Sequence, residues 1–179
     1  MPNLVNSLSV LNLHSNQLHG RILTPPTISN YVDYSDNSFT SSIPDDIATC
    51  MSSTIFFSLS ENNITGLIPA SICNATYLQV LHFSDNNLSG KIPSGLIENG
   101  ALGVLNLQRN KFSGAIPGEF PGNCLLETLD LNGNLLEGNI LESLTKCKAI
   151  EVLNPGNNKM NDIFPCWLKN ITSLHVLVL

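Results

Sequence analysis

The sequence predicts an α/β solenoid wound as a right-handed superhelix. A parallel β-sheet lines the concave face, and short 3₁₀, helical and extended segments lie on the convex side. Three observations predict it. An asparagine recurs at Asn16, Asn37, Asn62, Asn86, Asn110, Asn134 and Asn158, at intervals of 21, 25, 24, 24, 24 and 24 residues. Apolar residues stand eight, five and three places before it, as Leu102, Leu105 and Leu107 do before Asn110. A Gly-x-Ile-Pro phrase follows it, as in "NLQRNKFSGAIP" (106–117). A fixed period of this length means stacked units, because one coil cannot bury its own apolar face and its neighbours must do so. Residues 1–179 read as one domain of about seven repeats and a truncated eighth, with no clear caps.

Each slot has a physical job. The Leu-x-Leu pair is a short strand with alternate residues facing inward. The asparagine stands where the chain turns away. Its amide both donates and accepts, so stacked coils form an asparagine ladder that satisfies backbone groups left over by the turn. Two residues later an apolar side chain returns to the core (Leu18, Phe39, Ile64, Leu88, Phe112, Leu136, Met160). Glycine then permits close packing or an unusual backbone angle. Ile-Pro opens an extended segment, because proline fixes φ and steers its predecessor away from helix. Asp45 and Asp46 are expected to open a short convex helix, where carboxylates favour the N-terminal dipole. Trp167 is expected in the convex core. Some slots are broken: Leu23 and Leu141 replace Pro, Ser41 and Asp162 replace Gly, and Pro155 sits in a Leu slot. Proline removes a ladder donor, which predicts a local defect near residues 153–157.

Composition narrows the function. Charged residues are only 12% of the chain and the net charge is −6, which argues against a nucleic-acid partner. No stretch approaches the roughly 18 apolar residues of a membrane helix, so this segment is not expected to insert into a membrane. The start, "MPNLVNSLSVLNL", does not read as a signal peptide. Both ends expose apolar repeat faces, which predicts a fragment or a cover from elsewhere. The cysteines (Cys50, Cys73, Cys124, Cys147, Cys166) never form Cys-x-x-Cys, and the histidines (His14, His19, His82, His175) form no His-x-x-x-His pair, so no metal site or cofactor is expected. Ser143-x-x-Lys146 and two Ser-Asp-Asn triplets, at 35–37 and 84–86, imitate parts of a serine β-lactamase signature. Lys-Thr-Gly is missing, the order is reversed, and both triplets end on a ladder asparagine. The chain therefore reads as a non-enzyme. Four Asn-x-Ser/Thr sequons, at Asn63, Asn74, Asn87 and Asn170, are candidate glycosylation sites in a secreted protein.

The concave face carries the sharper expectation. Its central column reads Asn12, Asp33, Ser58, His82, Asn106, Asp130, Asn154. One flank reads Val10, Tyr31, Phe56, Val80, Val104, Thr128, Val152, and the other Ser15, Asp36, Glu61, Asp85, Arg109, Gly133, Asn157. Tyr31 and Phe56 form an aromatic anchor. Asp33, Glu61, His82, Asp85 and Arg109 complete a candidate ligand-binding patch, since aromatic anchors rimmed by polar groups dominate recognition surfaces. The acidic residues favour a basic peptide or protein.

The pattern L-x-x-L-x-L-x-x-N-x-L-x-G-x-I-P resembles the plant-type extracellular leucine-rich repeat, along the whole chain. Stretches such as "ENNITGLIPASICNATYLQVL" and "MNDIFPCWLKNITSLHVLVL" are similar to ectodomains of plant receptor-like proteins of the disease-resistance group, the Verticillium-wilt type among them. The resemblance implies a partial ectodomain that recognises a peptide or protein in innate immunity or signalling, on the outer side of the plasma membrane. It also implies a receptor kinase as co-receptor. Two other readings share the repeat: a secreted inhibitor of a microbial wall hydrolase, similar to polygalacturonase inhibitors, and a non-functional receptor gene fragment. Cys147 and Cys166, one coil apart on the convex side, are a candidate disulfide.

Overall fold

The computed structural model describes residues 8–98, 100–161 and 163–179. Eight strands, one per coil, form a single parallel sheet in strict chain order: Val10–Asn12, Tyr31–Asp33, Phe56–Ser58, Val80–His82, Val104–Asn106, Thr128–Asp130, Val152–Asn154 and Val176–Leu177. They are numbered here as coils 1 to 8. The register aligns the middle residues Leu11, Val32, Phe57, Leu81, Leu105, Leu129, Leu153 and Leu177. From Leu81 to Leu153 this row is at most 1% exposed. The sequence period is thus the sheet register: each repeat returns the same side chain to the same depth.

A second parallel sheet forms where each coil leaves the asparagine. Its strands are Thr65–Gly66, Asn87–Gly90, Lys111–Gly114, Leu135–Gly138 and Lys159–Met160. Partners here lie 22 residues apart, as Phe112 with Gly90 does, against 24 in the main sheet, so these strands pair with a stagger. Gly66, Gly90, Gly114 and Gly138 adopt φ of 77 to 85°, which explains the glycine slot. Ser41 holds that slot in coil 2 and is not among the positive-φ residues. Pairing there shrinks to a single bridge, Ser42 to Thr65, and coils 1 and 2 form a separate two-stranded ladder. Asp162, which also stands in a glycine slot, and the start of "MPNLVNSLSVLNL" lie outside the described residues.

The convex side is built from single turns: 3₁₀ segments Ile47–Cys50, Ala70–Asn74, Glu142–Lys146 and Cys166–Asn170, and a short α-turn Gly95–Glu98. Each drives an aliphatic residue inward, namely Ile47, Ile72, Leu144, Leu168 and the pair Leu96 and Ile97. Asp46 flanks the first turn but makes no side-chain cap. Leu141, in a proline slot, takes φ −76° and ψ 127°, close to the −63° and 135° of Pro69, so the extended start survives without the ring. Trp167 is half-buried and packs against the core. Tyr34, Phe57 and Phe83 meet edge to face along the interior, with centroids 6.4 and 5.4 Å apart.

Three expectations need correction. The disulfide joins Cys124 to Cys147, not Cys147 to Cys166; Cys166 is exposed and forms no disulfide. Cys124 and Cys147 are both buried, whereas Cys166 starts its turn from the outer surface. Pro155 does not disrupt its coil. The strand before it keeps full register on one side, and Asn157 has the same φ, 53°, as its counterparts. The ring lacks only the amide donation to the next coil that its counterpart Leu131, one coil earlier, makes to the Asn154 carbonyl at 2.9 Å. Finally, the slot eight before the asparagine is polar in coils 2 and 3. Ser29 and Thr54 are fully buried there, and their hydroxyls donate to Leu8 and Ser29 carbonyls at 2.7 and 2.8 Å.

Candidate recognition face

The ladder asparagines fix the edge of the concave sheet. In Asn110, Oδ1 accepts from the Leu88 amide at 3.0 Å, and Nδ2 donates to the carbonyls of Phe83, Leu107 and Gln108 at 2.8, 3.3 and 3.2 Å. Asn62, Asn86 and Asn134 repeat this pattern one coil apart and are 6 to 8% exposed. Asn37 and Asn158 make the same bonds while half-buried. Asn16 is exposed, and among the described residues its side-chain amide bonds within its own coil, to the Leu13 and His14 carbonyls.

The residue before each asparagine takes a left-handed conformation that the repeat pattern did not reveal. Ser15, Asp36, Glu61, Asp85, Arg109 and Asn157 have φ of 49 to 56°, and Gly133 has 69°. Gly, Asn and Asp suit this region best, so Ser15, Glu61 and Arg109 are held there by the ladder against their preference. The signal was present in Gly133 and Asn157, which share this slot. The turn throws the flank side chains, charged in four coils, onto the rim of the sheet.

On the other flank, Tyr31 and Phe56 stack with centroids 4.3 Å apart and planes 6° off parallel. His82 meets Phe56 edge-on at 5.8 Å. All three are half-buried, so the row presents ring edges rather than separate exposed faces. Burial holds His82 below its ordinary range, and the nearby Asp33 charge partly opposes this. Asp33 is itself 7% exposed and already engaged. Its oxygens accept from Tyr31 Oη at 3.1 Å, Ser35 Oγ at 2.5 Å and the Ser35 amide at 3.0 Å. It therefore orients Tyr31 and has little capacity left for a ligand. Burial, and then Asp33, raise the Tyr31 phenol above its usual value.

The acidic flank is unequal. Arg109 grips Asp85 with two nitrogens, Nη2 standing 2.9 Å from Oδ2, and reaches Gln108 Oε1 through Nη1 at 3.0 Å. The hydrogen bond to Asp85, first among several causes, raises the guanidinium above its ordinary value. Asp36 accepts the Ser15 hydroxyl at 2.6 Å, and Glu61 projects into solvent. His14 lies between Ser15 and Ser35, 2.8 Å from each hydroxyl, and links the rim to Asp33; sequence reasoning missed this chain because its members belong to different slots. The Ser-x-x-Lys imitation dissolves: Ser143 and Lys146 lie on a convex turn, and both Ser-Asp-Asn triplets lie at the concave rim. Among the sequons, Asn63, Asn74 and Asn170 are exposed, and Asn87 is half-buried within a strand.

The Leucine Rich Repeat family model matches residues 53–75, 77–98, 101–123 and 125–147, half of the chain. Receptor-like protein 18 of Arabidopsis thaliana is 34% identical over 181 residues, covering 97% of this chain and 18% of that protein. The crystal structure of a TDR receptor superposes with a TM-score of 0.87 at 27% identity, over 94% of this chain and 30% of the other. The Arabidopsis receptor kinase HAESA, in complex with the peptide hormone IDA and the co-receptor SERK1, superposes at 0.73 with 27% identity, over 94% of this chain and 33% of the other. The chain thus spans less than a fifth of its curated relative and about a third of these receptor structures. The asparagine ladder, the coil-by-coil register and these matches agree: the chain belongs to the leucine-rich-repeat family and is similar, along nearly all of its length, to the ectodomains of plant receptor-like proteins.

Proposed function

We propose that this chain is a section of an extracellular receptor ectodomain that recognises a peptide or protein ligand on its concave sheet, with a receptor kinase as signalling partner. The observation that carries the reading is the Tyr31, Phe56 and His82 row. It places three half-exposed rings together on a sheet face that no other element among the described residues covers. Rigid aromatic rings give contact area at small entropic cost, which is why they anchor recognition surfaces. That HAESA is seen with a peptide hormone and a co-receptor supports the same reading, as does the concave sheet shared with it. The glycosylation reading is extended to Asn63, Asn74 and Asn170, whose exposed side chains leave room for a glycan. Among the described residues no helix is long and apolar enough to cross a membrane.

The test is ligand capture from a synthetic peptide library by the purified chain, followed by titration of the captured peptide against Phe56→Ala. A loss of about tenfold or more in affinity is expected, as for a central aromatic anchor. Unchanged affinity removes the aromatic row from the binding surface.

A further inference from the structure

On the side where each coil enters the concave sheet, apolar side chains stand in solvent. Ile55, directly before the coil 3 strand, is 39% exposed, and Tyr77, three residues before the coil 4 strand, is 64% exposed. The two line one shallow groove of about 360 Å³ together with Asn30, Ser52 and Ser53. Its polar wall is fixed by two bonds. Asn30 Nδ2 donates to the Ser53 carbonyl at 3.2 Å, and the Ser52 hydroxyl donates to the Thr27 carbonyl at 3.2 Å. The amide oxygen and the hydroxyl oxygens keep capacity to accept. A flat aromatic ring beside amide and hydroxyl groups suits a sugar. The ring packs against the axial C–H face of a β-linked pyranose, and the polar wall takes its hydroxyl and acetamido protons.

A source of sugar lies in the same turn. Asn74-Ala75-Thr76 is a sequon whose asparagine and threonine are both exposed, and Tyr77 follows it directly. Asn74 ends the 3₁₀ turn Ala70–Asn74, from which the chain runs into the groove wall. A glycan joined there is tethered, so its effective concentration at the groove is on the order of millimolar, and a contact of millimolar strength keeps it seated. Asn170 gives a comparison within the chain. It ends the 3₁₀ turn Cys166–Asn170 four coils on, and its sequon is followed by Ser173 where the first has Tyr77. Ser173 is half-buried and gives its hydroxyl proton to the Ile150 carbonyl at 2.7 Å. The wall slots there hold Lys148, Ala149 and Glu151 in place of Ser52, Ser53 and Ile55. The same slot thus carries a sequon twice, and the aromatic groove lies beside the first.

We propose that the groove of Ile55 and Tyr77 seats the first N-acetylglucosamine residues of an N-linked glycan on Asn74, so that the sugar covers the apolar patch and is held against the coil. The proposal rests on the glycosylation reading above and adds the bound position of the glycan and the side chain that holds it. The Asn170 glycan, beside a charged wall, extends into solvent. Tyr77 is exposed, so its substitution leaves the core intact.

The chain is secreted from a eukaryotic cell line fed isotope-labelled N-acetylglucosamine. Glycopeptide mass spectrometry reads occupancy at Asn74 and Asn170, and NMR reads the acetyl and anomeric signals of the sugars. Thr76→Ala, which removes the first sequon, assigns the Asn74 signals. These are expected to carry a ring-current shift, with the Asn170 signals at the positions of a free glycan. Tyr77→Ala should return the Asn74 signals to those positions, and Tyr77→Phe should keep the shift. Enzymatic removal of the glycans should lower the melting temperature by about 2 to 4 °C in the parent chain, the size of one aromatic contact in a chain of this length, and by less in Tyr77→Ala. An occupied Asn74 whose sugar signals match a free glycan overturns the seating and leaves the glycosylation reading standing. Shifted signals that survive Tyr77→Ala overturn it as well. An unmodified Asn74 overturns both readings. Self-association of the glycoprotein that Tyr77→Ala abolishes assigns the patch to a second copy and overturns the seating too.

Discussion

Asn110→Ala removes one rung of the ladder. The side chain is 8% exposed and makes four hydrogen bonds to backbone groups. Two of these serve the preceding coil: the Leu88 amide and the Phe83 carbonyl, both on residues with no exposed surface. Alanine leaves the Leu88 amide without a partner and the Phe83 carbonyl with only the long bond from Asn86 Nδ2, at 3.4 Å. An orphaned buried group costs about 1 to 3 kcal/mol. One such group, a weakened second and the lost bonds to Leu107 and Gln108 give a destabilisation of about 3 kcal/mol. For a chain of this size that lowers the melting temperature by about 6 to 12 °C. Asn106→Ala is the control: its Oδ1 accepts from the Gln108 amide at 3.1 Å at a half-exposed position, where water substitutes, and its cost should stay under about 1 kcal/mol. Urea denaturation measures both, and hydrogen exchange at the Leu88 amide reports the local opening. An Asn110→Ala variant no less stable than Asn106→Ala would falsify the ladder as the structural polar network.

Cys124→Ser, which opens a loop with a sequence separation of 23, should cost about 3 kcal/mol, whereas Cys166→Ser should leave the melting point unchanged; peptide mapping without reductant should recover the Cys124 and Cys147 peptides joined. Gly90→Ala and Gly114→Ala should each destabilise by about 1 to 2 kcal/mol, because both glycines have positive φ, 77° and 81°, and the one close atom a Cβ at Gly90 would meet, Leu67 Cδ2, is the tip of an exposed side chain that can swing aside; melting curves of the two variants check it. His82 gives a pH dependence. Its folded value lies below its ordinary value near 6.5, so below about pH 6.5 the unfolded chain takes up the proton first. Stability should fall as pH drops through that window and level off above it, and His82→Gln should flatten this part of the profile; an unchanged slope in the variant refutes the assignment.

The coil architecture was legible because each slot is filled by residues of one physical kind. The leucines report depth, the asparagine reports the turn, and the glycine reports positive φ. What escaped was whatever no single slot encodes. Ser29 and Thr54 stand where leucine is expected, and only the carbonyls of the preceding coil show why hydroxyls are tolerated. The left-handed flank residues were hidden because Ser15, Glu61 and Arg109 carry no conformational signature of their own. The cysteine pairing failed on depth: Cys124 lies in the irregular stretch of coil 5, which has no convex helix, and nothing in its spacing shows that the chain there turns inward. On the concave face, position was readable and availability was not. Asp33 and Asp85 are acidic residues on the expected columns, yet one is consumed by Tyr31 and Ser35 and the other by Arg109.

The rungs also run one way. Asn86 serves the amide of Ile64 and the carbonyl of Leu59, both behind it in the chain, and Asn158 does the same for Leu136 and Leu131. Every coil therefore depends on its successor to close its hydrogen bonding. Shortening the protein from its leading end leaves an asparagine that keeps the bonds within its own coil and turns the rest to water, as Asn16 does, whereas trimming from the trailing end strips the asparagine that a remaining coil's backbone still needs. Serial deletion should show that asymmetry, with the solenoid tolerating loss at the front and fraying from the back.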